Sequence, residues 1–180
     1  GDKDEGLRKI NVAAHEAVYS GLEARSMLIH IYLYLEEDYD KALPLIQDLR
    51  AKFRKNMRYP FFEGLVYIRQ DRDSKYREMV DSLRAEGRKK ATRSDRLIWD
   101  NQALYLEATY HLFRGQTQPA RNKLDVILSQ AEPGLDPDMI AWPILKKGMS
   151  YDLEGKRHTA LEFYHRVLKM DNGAGAQFLA

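Results

Sequence analysis

The stretch that decides the fold is GMSYDLEGKRHTALEFYHRVL, residues 148–168. Two small residues, Gly148 and Ala160, stand twelve positions apart on either side of Gly155, and aromatic residues follow each of them. Gly155 is a typical place for one helix to end before the next begins. Two antiparallel helices joined by such a short turn approach each other to about 8–10 Å only where the side chains at the crossing are small. The spacing therefore predicts a tightly packed helical hairpin rather than a catalytic motif.

The same pairing recurs upstream at three places. In two of them a large residue stands where a small one is expected, opposite a small partner, which would conserve the volume at the crossing. These pairs are Ala108 with Ala120, Gly64 with Tyr76, and His30 with Ala42. The second members of the four pairs lie 34, 44 and 40 residues apart. The extra residues of the longer intervals fall on 88–96 and 132–138, which we expect to be loops. Repeats of this length predict stacked hairpins.

Apolar residues at helical spacing run through the chain, whereas strand signals are nearly absent. Helix starts and stops divide the sequence into about nine helices. The expected caps are Asp38, Asp73 or Ser74, and Asp136 followed by Pro137; the expected stops are Gly87, Gly115, Gly134 and Gly155; Pro44 and Pro143 fall inside helices. We therefore expect an all-α fold.

In this pattern the chain resembles the tetratricopeptide repeat (TPR) family, whose unit has 34 residues. The residues that match its small, aromatic and apolar positions are Gly148, Tyr151, Ala160 and Tyr164 in the last copy and Gly64, Tyr67 and Val80 in an earlier one. The resemblance implies an α-solenoid of antiparallel hairpins, a TPR-like superhelix without chemistry of its own. It implies about four repeats. Outside them, we expect a helix within residues 1–21 that packs on the array and a tail at 171–180 that is flexible or begins a truncated capping helix. The repeats would span 22–55, 56–93, 97–131 and 136–170.

The family binds its partners in a concave groove lined by the first helix of each repeat. Carried over to this sequence, the resemblance implies an apolar and aromatic groove, which suits an amphipathic helix or an extended peptide of a partner protein. Some TPR domains bind acidic chaperone tails through Lys and Asn, but the corresponding positions here are apolar, which disfavours that specialisation. The implied lining residues are Met27, Ile31, Tyr34, Arg58, Phe61, Leu65, Ile68, Arg69, Tyr105, Thr109, Leu112, Phe113, Trp142, Leu145 and Met149.

Three alternatives to an open groove follow from the same residues. The chain's own N-terminal segment, residues 7–22, has apolar residues at helical spacing and is a candidate occupant of the groove. With only four repeats, the implied lining residues are also candidates for the core. Finally, the apolar face is a candidate seam between two copies of the chain.

Charge is distributed unevenly, although the net charge is only +2. Residues 50–96 carry a net charge of +8, whereas residues 1–49 carry −5 and residues 97–180 carry −1. A basic segment that also contains aromatic residues could hold an acidic partner or a nucleic acid, although a solvated surface explains it more simply. The basic patch consists of Arg50, Lys52, Arg54, Lys55, Arg88, Lys89, Lys90 and Arg93.

The sequence shows few signs of chemistry. It contains no nucleotide-binding glycine motif and no His-Glu-x-x-His motif, and its five histidines are dispersed. We therefore expect a non-enzymatic protein that has no cofactor and no metal. No apolar run approaches the roughly 20 residues that a membrane span needs. The chain has no cysteine and does not begin with Met, and these two features favour an exported or periplasmic protein over a cytoplasmic one.

Overall fold

The computed structural model describes residues 2–17, 21–130 and 138–180. Within these ranges the chain forms nine α-helices and one short 3-10 helix and contains no strand, which confirms the predicted all-α fold. The helices are α1 (Lys3–Glu16), α2 (Gly21–Tyr34), α3 (Tyr39–Lys52), α4 (Arg58–Arg69), α5 (Asp73–Arg88), α6 (Arg93–Phe113), α7 (Thr117–Gln130), α8 (Asp138–Leu153) and α9 (Arg157–Leu168), and the 3-10 helix is Ala176–Phe178.

Each helix packs against the next one along the chain. Where the connections between α2 and α9 are described, they are three to five residues long, which makes neighbouring helices antiparallel. Helix α4 also packs on α6, and α6 packs on α8. Phe62 of α4 shares a core cluster with Leu28 of α2. Helices α2, α4, α6 and α8 thus form an inner layer, backed by α3, α5, α7 and α9, as in a solenoid of hairpins.

Small residues let the helices approach closely, as the sequence predicts. Ala108, Ala120, Gly148 and Ala160 are all buried. A Cβ atom built at Gly148 would lie 2.4 Å from the ring of Tyr164, which is closer than any real contact allows. The hairpin of α8 and α9 therefore depends on the absence of a side chain at position 148.

The two irregular pairs pack differently from the prediction. A Cβ atom at Gly64 would meet Leu106 of α6 at 2.4 Å, so the neighbour that needs this glycine lies on the next inner helix. Tyr76 instead stacks on Tyr110 with ring centroids 4.5 Å apart. His30 is exposed, and its ring lies 5.2 Å from that of Phe62. The interpretation of these pairs as compensated crossings was wrong.

Most of segment 88–96 is helical, which corrects the expected loop. Helix α5 continues to Arg88 and α6 already begins at Arg93, so α6 reaches 21 residues. Gly87 does not stop α5. It is buried, and a Cβ atom there would lie 2.9 Å from the Cβ atom of Trp99. The second expected loop, 132–138, and the expected helix signals at Gly134, Asp136 and Pro137 lie outside the described residues, except for Asp138, the first residue of α8.

Other helix boundaries follow the predicted signals in part. Asp38 caps α3, because its carboxylate accepts the backbone N–H of Lys41 at 3.1 Å. Asp73 lies inside the first turn of α5 instead of capping it. The prolines at 44 and 143 lie within α3 and α8. The glycines at 115 and 155 have φ angles of +69° and +72°, the left-handed conformation that ends a helix.

Helix α1 packs against α2 at the start of the array. Its Ala14 is buried, and the guanidinium of Arg25 donates a hydrogen bond to the Ala14 carbonyl at 2.9 Å. Met27 and Tyr34 nevertheless remain 54% and 55% exposed. The N-terminal helix therefore extends the array and leaves these two residues of the inner layer uncovered.

Part of the tail, for which a flexible segment or the start of a truncated capping helix is expected, contacts the array. The indole N–H of Trp142 donates to the carbonyl of Ala174 at 3.1 Å, and the Gln177 amide donates to the carbonyl of Met170 at 3.0 Å. Ala176 is fully buried against α8 and α9. The tail thus packs on the array around Ala174 and Ala176, whereas Phe178 stays exposed.

Candidate binding groove

A row of aromatic rings crosses the inner layer from α2 to α6. The ring of His30 lies 6.1 Å from that of Tyr34 and 5.2 Å from that of Phe62. The row continues from Phe62 to Phe61 at 5.9 Å and from Phe61 to Tyr105 at 5.8 Å. Contacts at these distances stabilise the packing of neighbouring helices. We call the inner face that contains this row, together with the facing side of α8, the groove.

Several of the implied groove residues form the floor of this face and belong to the core. Tyr105 is only 6% exposed and Leu145 is fully buried, so neither offers a free surface. Ile68 and Leu112 are buried as well. Phe61 and Leu65 are half-buried and pack on the cores of adjoining hairpins. Some of the implied lining residues thus belong to the core, and only the others can offer a surface to a partner.

Other implied residues remain open to solvent. Met27, Tyr34, Arg69 and Phe113 are exposed, whereas Ile31, Thr109 and Met149 are half-buried. The hydroxyl of Thr109 donates to the backbone carbonyl of Tyr105 at 2.9 Å, so this hydroxyl already has a hydrogen-bond partner within its own helix. The accessible part of the groove is therefore mainly apolar and aromatic.

Two tyrosines of this face lie close enough to influence each other. Tyr34 is 55% exposed, and the protein around its phenol removes enough water to raise its pKa to about 12. Burial raises the pKa of Tyr105 well above its usual range, and the proximity of Tyr34 raises it further. Helices α2 and α6 thus face each other across the groove.

Two cations of the groove, Arg69 at the end of α4 and Lys146 on α8, influence each other electrostatically. The guanidinium of Arg69 forms an ion pair with Glu37 at 2.8 Å and lies 5.3 Å from the ring centroid of Phe113. Lys146 is half-buried. Burial lowers the pKa of Lys146 to about 8, and the charge of Arg69 contributes to the shift. These two side chains therefore lie within electrostatic reach of each other.

Lys146 is absent from the lining residues that the resemblance implies. The available signal is its position, four residues after Trp142 and three before Met149, which places the three on one face of α8. The groove positions that the resemblance implies for the first helix of each repeat do not include it. The groove is thus less apolar than the sequence indicates.

Two further implied residues lie at the margins of this face. Trp142 is half-buried, and the tail occupies its N–H group. Arg58 begins α4 and lines a separate hollow together with residues of the α3–α4 connection, α6 and the start of α8. Neither residue is part of the row of aromatic rings.

Half of the basic patch is neutralised or covered by the protein itself. Arg50 pairs with the buried carboxylate of Glu63 at 2.6 Å, and Lys52 pairs with Asp48 at 2.8 Å. Lys89 pairs with Glu86, and the ammonium of Lys90 lies 4.6 Å from the ring centroid of Trp99. The remaining members are exposed and have no ion-pair partner among the described residues: Arg54, Lys55, Arg88 and Arg93.

The described residues contain no cluster of three or more side chains suited to hold a metal ion. No helix among them is long and apolar enough to cross a membrane. Comparison of the chain with models of protein families, with characterised proteins and with solved structures finds no significant match in any of the three.

Proposed function

We propose that the protein is a non-enzymatic interaction module, an adaptor or scaffold whose groove receives an amphipathic helix or an extended peptide of another protein. The observation that carries this proposal is the row of aromatic rings, which ends at exposed Tyr34 on α2, the helix that also carries exposed Met27. Large apolar side chains that stay open to solvent are typical of surfaces that bind a peptide or a helix.

We also propose that the array is TPR-like. Support comes from the alternation of inner and outer helices and from the small residues that let consecutive helices meet, as at Gly148 against Tyr164. A TPR-like array would hold its ligand on the inner layer, which is where the exposed aromatic side chains are found.

The experiment selects peptides of about 16 residues by phage display on the whole chain and measures their affinity by fluorescence anisotropy. Tyr34→Glu places a charge in the groove at an exposed site, so the fold should tolerate it. Val126→Glu is the matched control, because Val126 is 41% exposed on the outer helix α7. We expect roughly tenfold or greater loss of binding for Tyr34→Glu, and none for Val126→Glu.

Other results would contradict the proposal. Failure to select any peptide, or peptides that bind both variants as well as the unmodified chain, would exclude the groove as the binding surface. Sedimentation at micromolar concentration tests the dimer alternative: a dimer that Tyr34→Glu dissociates would identify the groove as a seam between copies. A substitution at Tyr105 would not serve here, since that side chain is core and its replacement would test folding.

A further inference from the structure

Lys146 is a cation on the groove face that lacks a counter-ion. None of the described residues forms an ion pair or a side-chain hydrogen bond with its ammonium. The adjacent Lys147, by contrast, has partners: its ammonium pairs with Asp125 at 2.5 Å and lies 5.2 Å from the ring centroid of Phe163. Lys147 thus pairs with residues of the outer helices α7 and α9, whereas Lys146, on the same helix face as Trp142 and Met149, has no such partner among the described residues.

Lys146 is poorly solvated for a lysine. It is half-buried, and burial together with the positive charge of Arg69 lowers the pKa of its ammonium. Arg69 itself is oriented by Glu37, and its positive charge is thereby partly compensated. Lys146 consequently brings to this face a positive charge that no described residue compensates, within electrostatic reach of Arg69.

We propose that this site accepts one aspartate or glutamate side chain of a partner protein segment, whose carboxylate pairs with Lys146 while apolar side chains on either side rest on the aromatic row and on Met149. This inference rests on the proposed function and adds the chemistry of the ligand. A carboxylate would supply the missing counter-ion in a site where water is already depleted, and charge-assisted hydrogen bonds are strongest in such places.

The surroundings favour a peptide over a nucleic acid. A nucleic acid brings one negative charge per nucleotide and needs several cations along its path. Of the described cations on or beside this face, Lys146 is uncompensated, whereas Arg69 and Arg114 are already paired with acidic side chains. The exposed cations of the basic patch, such as Arg88 and Arg93, lie at the α5–α6 connection, outside the aromatic row. A single carboxylate within an apolar segment matches this arrangement.

The test uses peptides selected on the whole chain, synthesised with amidated C-termini so that only side chains carry carboxylates. Each acidic residue is replaced by its amide, and both forms are titrated against the unmodified protein, Lys146→Met and Lys169→Met. Lys169 is an exposed lysine without an ion-pair partner among the described residues, so its variant matches the loss of charge. A single-stranded oligonucleotide of about 20 nucleotides is added as competitor.

We expect the change from acid to amide to weaken binding about tenfold for the unmodified protein and for Lys169→Met, and to have no effect for Lys146→Met. Peptides without acidic residues, or an equal effect in all three proteins, would overturn the assignment of Lys146 and leave the proposed function intact if Tyr34→Glu still abolishes binding. Peptides whose affinity changes with neither Tyr34→Glu nor Lys146→Met would contradict both the assignment of Lys146 and the proposed function. Displacement by the oligonucleotide would overturn the choice of a peptide ligand.

Discussion

The carboxylate of Glu63 in α4 lies 2.6 Å from the guanidinium of Arg50 in α3 and is only 3% exposed. It also accepts the phenolic O–H of Tyr67 at 2.6 Å and the amide of Gln47 at 3.1 Å. Burial alone would raise the pKa of Glu63, but these hydrogen bonds and the charge of Arg50 outweigh burial and lower it. A buried charge with this many partners joins two successive hairpins.

We expect Arg50→Met to lower the free energy of unfolding by about 2 kcal/mol, because it leaves the Glu63 carboxylate buried without its cation. Lys52→Met is the control, since its pair with Asp48 is exposed on both sides, and it should cost less than about 0.5 kcal/mol. Urea denaturation at neutral pH measures both. Equal losses in the two variants would contradict the role assigned to the buried pair.

The same pair predicts a dependence on pH. Because the folded state lowers the pKa of Glu63 below its ordinary value of 4.5, the unfolded chain takes up the proton first as pH falls. The stabilisation is therefore complete above that ordinary value and is lost as pH falls through the lower folded value. We expect the difference between Arg50→Met and the unmodified protein to shrink over this range in urea titrations.

Lys146→Met should stabilise the protein at neutral pH by about 2 kcal/mol, because it removes a desolvated charge. The pKa of Lys146 is about 8 in the folded protein, against 10.5 for an ordinary lysine. Between these values the unfolded chain binds more protons, so the free energy of unfolding of the unmodified protein rises with pH. Urea denaturation should show this rise in the unmodified protein and in Lys169→Met, and not in Lys146→Met.

Gly148→Ala should destabilise the hairpin of α8 and α9 by about 1–3 kcal/mol, since the added methyl group would overlap the ring of Tyr164. That ring is held in place because its hydroxyl donates to Asp152 at 2.6 Å. Gly6→Ala is the matched control within α1, where nothing lies within 4 Å of the new methyl group. There alanine should stabilise the helix by about 0.5–1 kcal/mol. Thermal unfolding, followed by circular dichroism, measures the stability of both variants against that of the unmodified protein.

Removal of residues 173–180 should expose Trp142, whose N–H and ring lose their contacts with the tail. Acrylamide should then quench the tryptophan fluorescence more strongly and the emission should shift to longer wavelength. Trp99 is only 3% exposed in a separate core cluster and should contribute little to the change. Unaltered quenching would show that the tail does not protect Trp142 in solution.

The fold was predictable where local spacing determines it. The glycine and alanine of the last hairpin specify a close crossing within about 20 residues of chain, and the glycines at 115 and 155 end their helices with positive φ angles. The neighbour of Gly64 was not predictable in this way, since Leu106 lies on a different hairpin. Segment 88–96 contains polar residues typical of a loop, yet residues 93–96 form the start of α6, whose Trp99 packs on Gly87 of α5.

The site was predictable only in outline. Helical spacing identifies the inner face, but it does not distinguish Tyr105, which the neighbouring helices bury, from Tyr34, which they leave open. That difference arises from packing among three hairpins. Lys146 was missed for a related reason, since an isolated lysine in a sequence gives no sign of whether a carboxylate will lie near it in the folded chain.

Helix α6 touches α4, α5, α7 and α8, and its 21 residues make it longer than any other described helix. Solenoids with contacts only between successive repeats can melt piecemeal from their ends. Helix α6 opposes this, because the helices before it and the helices after it both pack on it. Neither half of the array can therefore detach without breaking contacts with α6. The central part of the molecule should therefore unfold as one cooperative block, with fraying confined to the outermost helices.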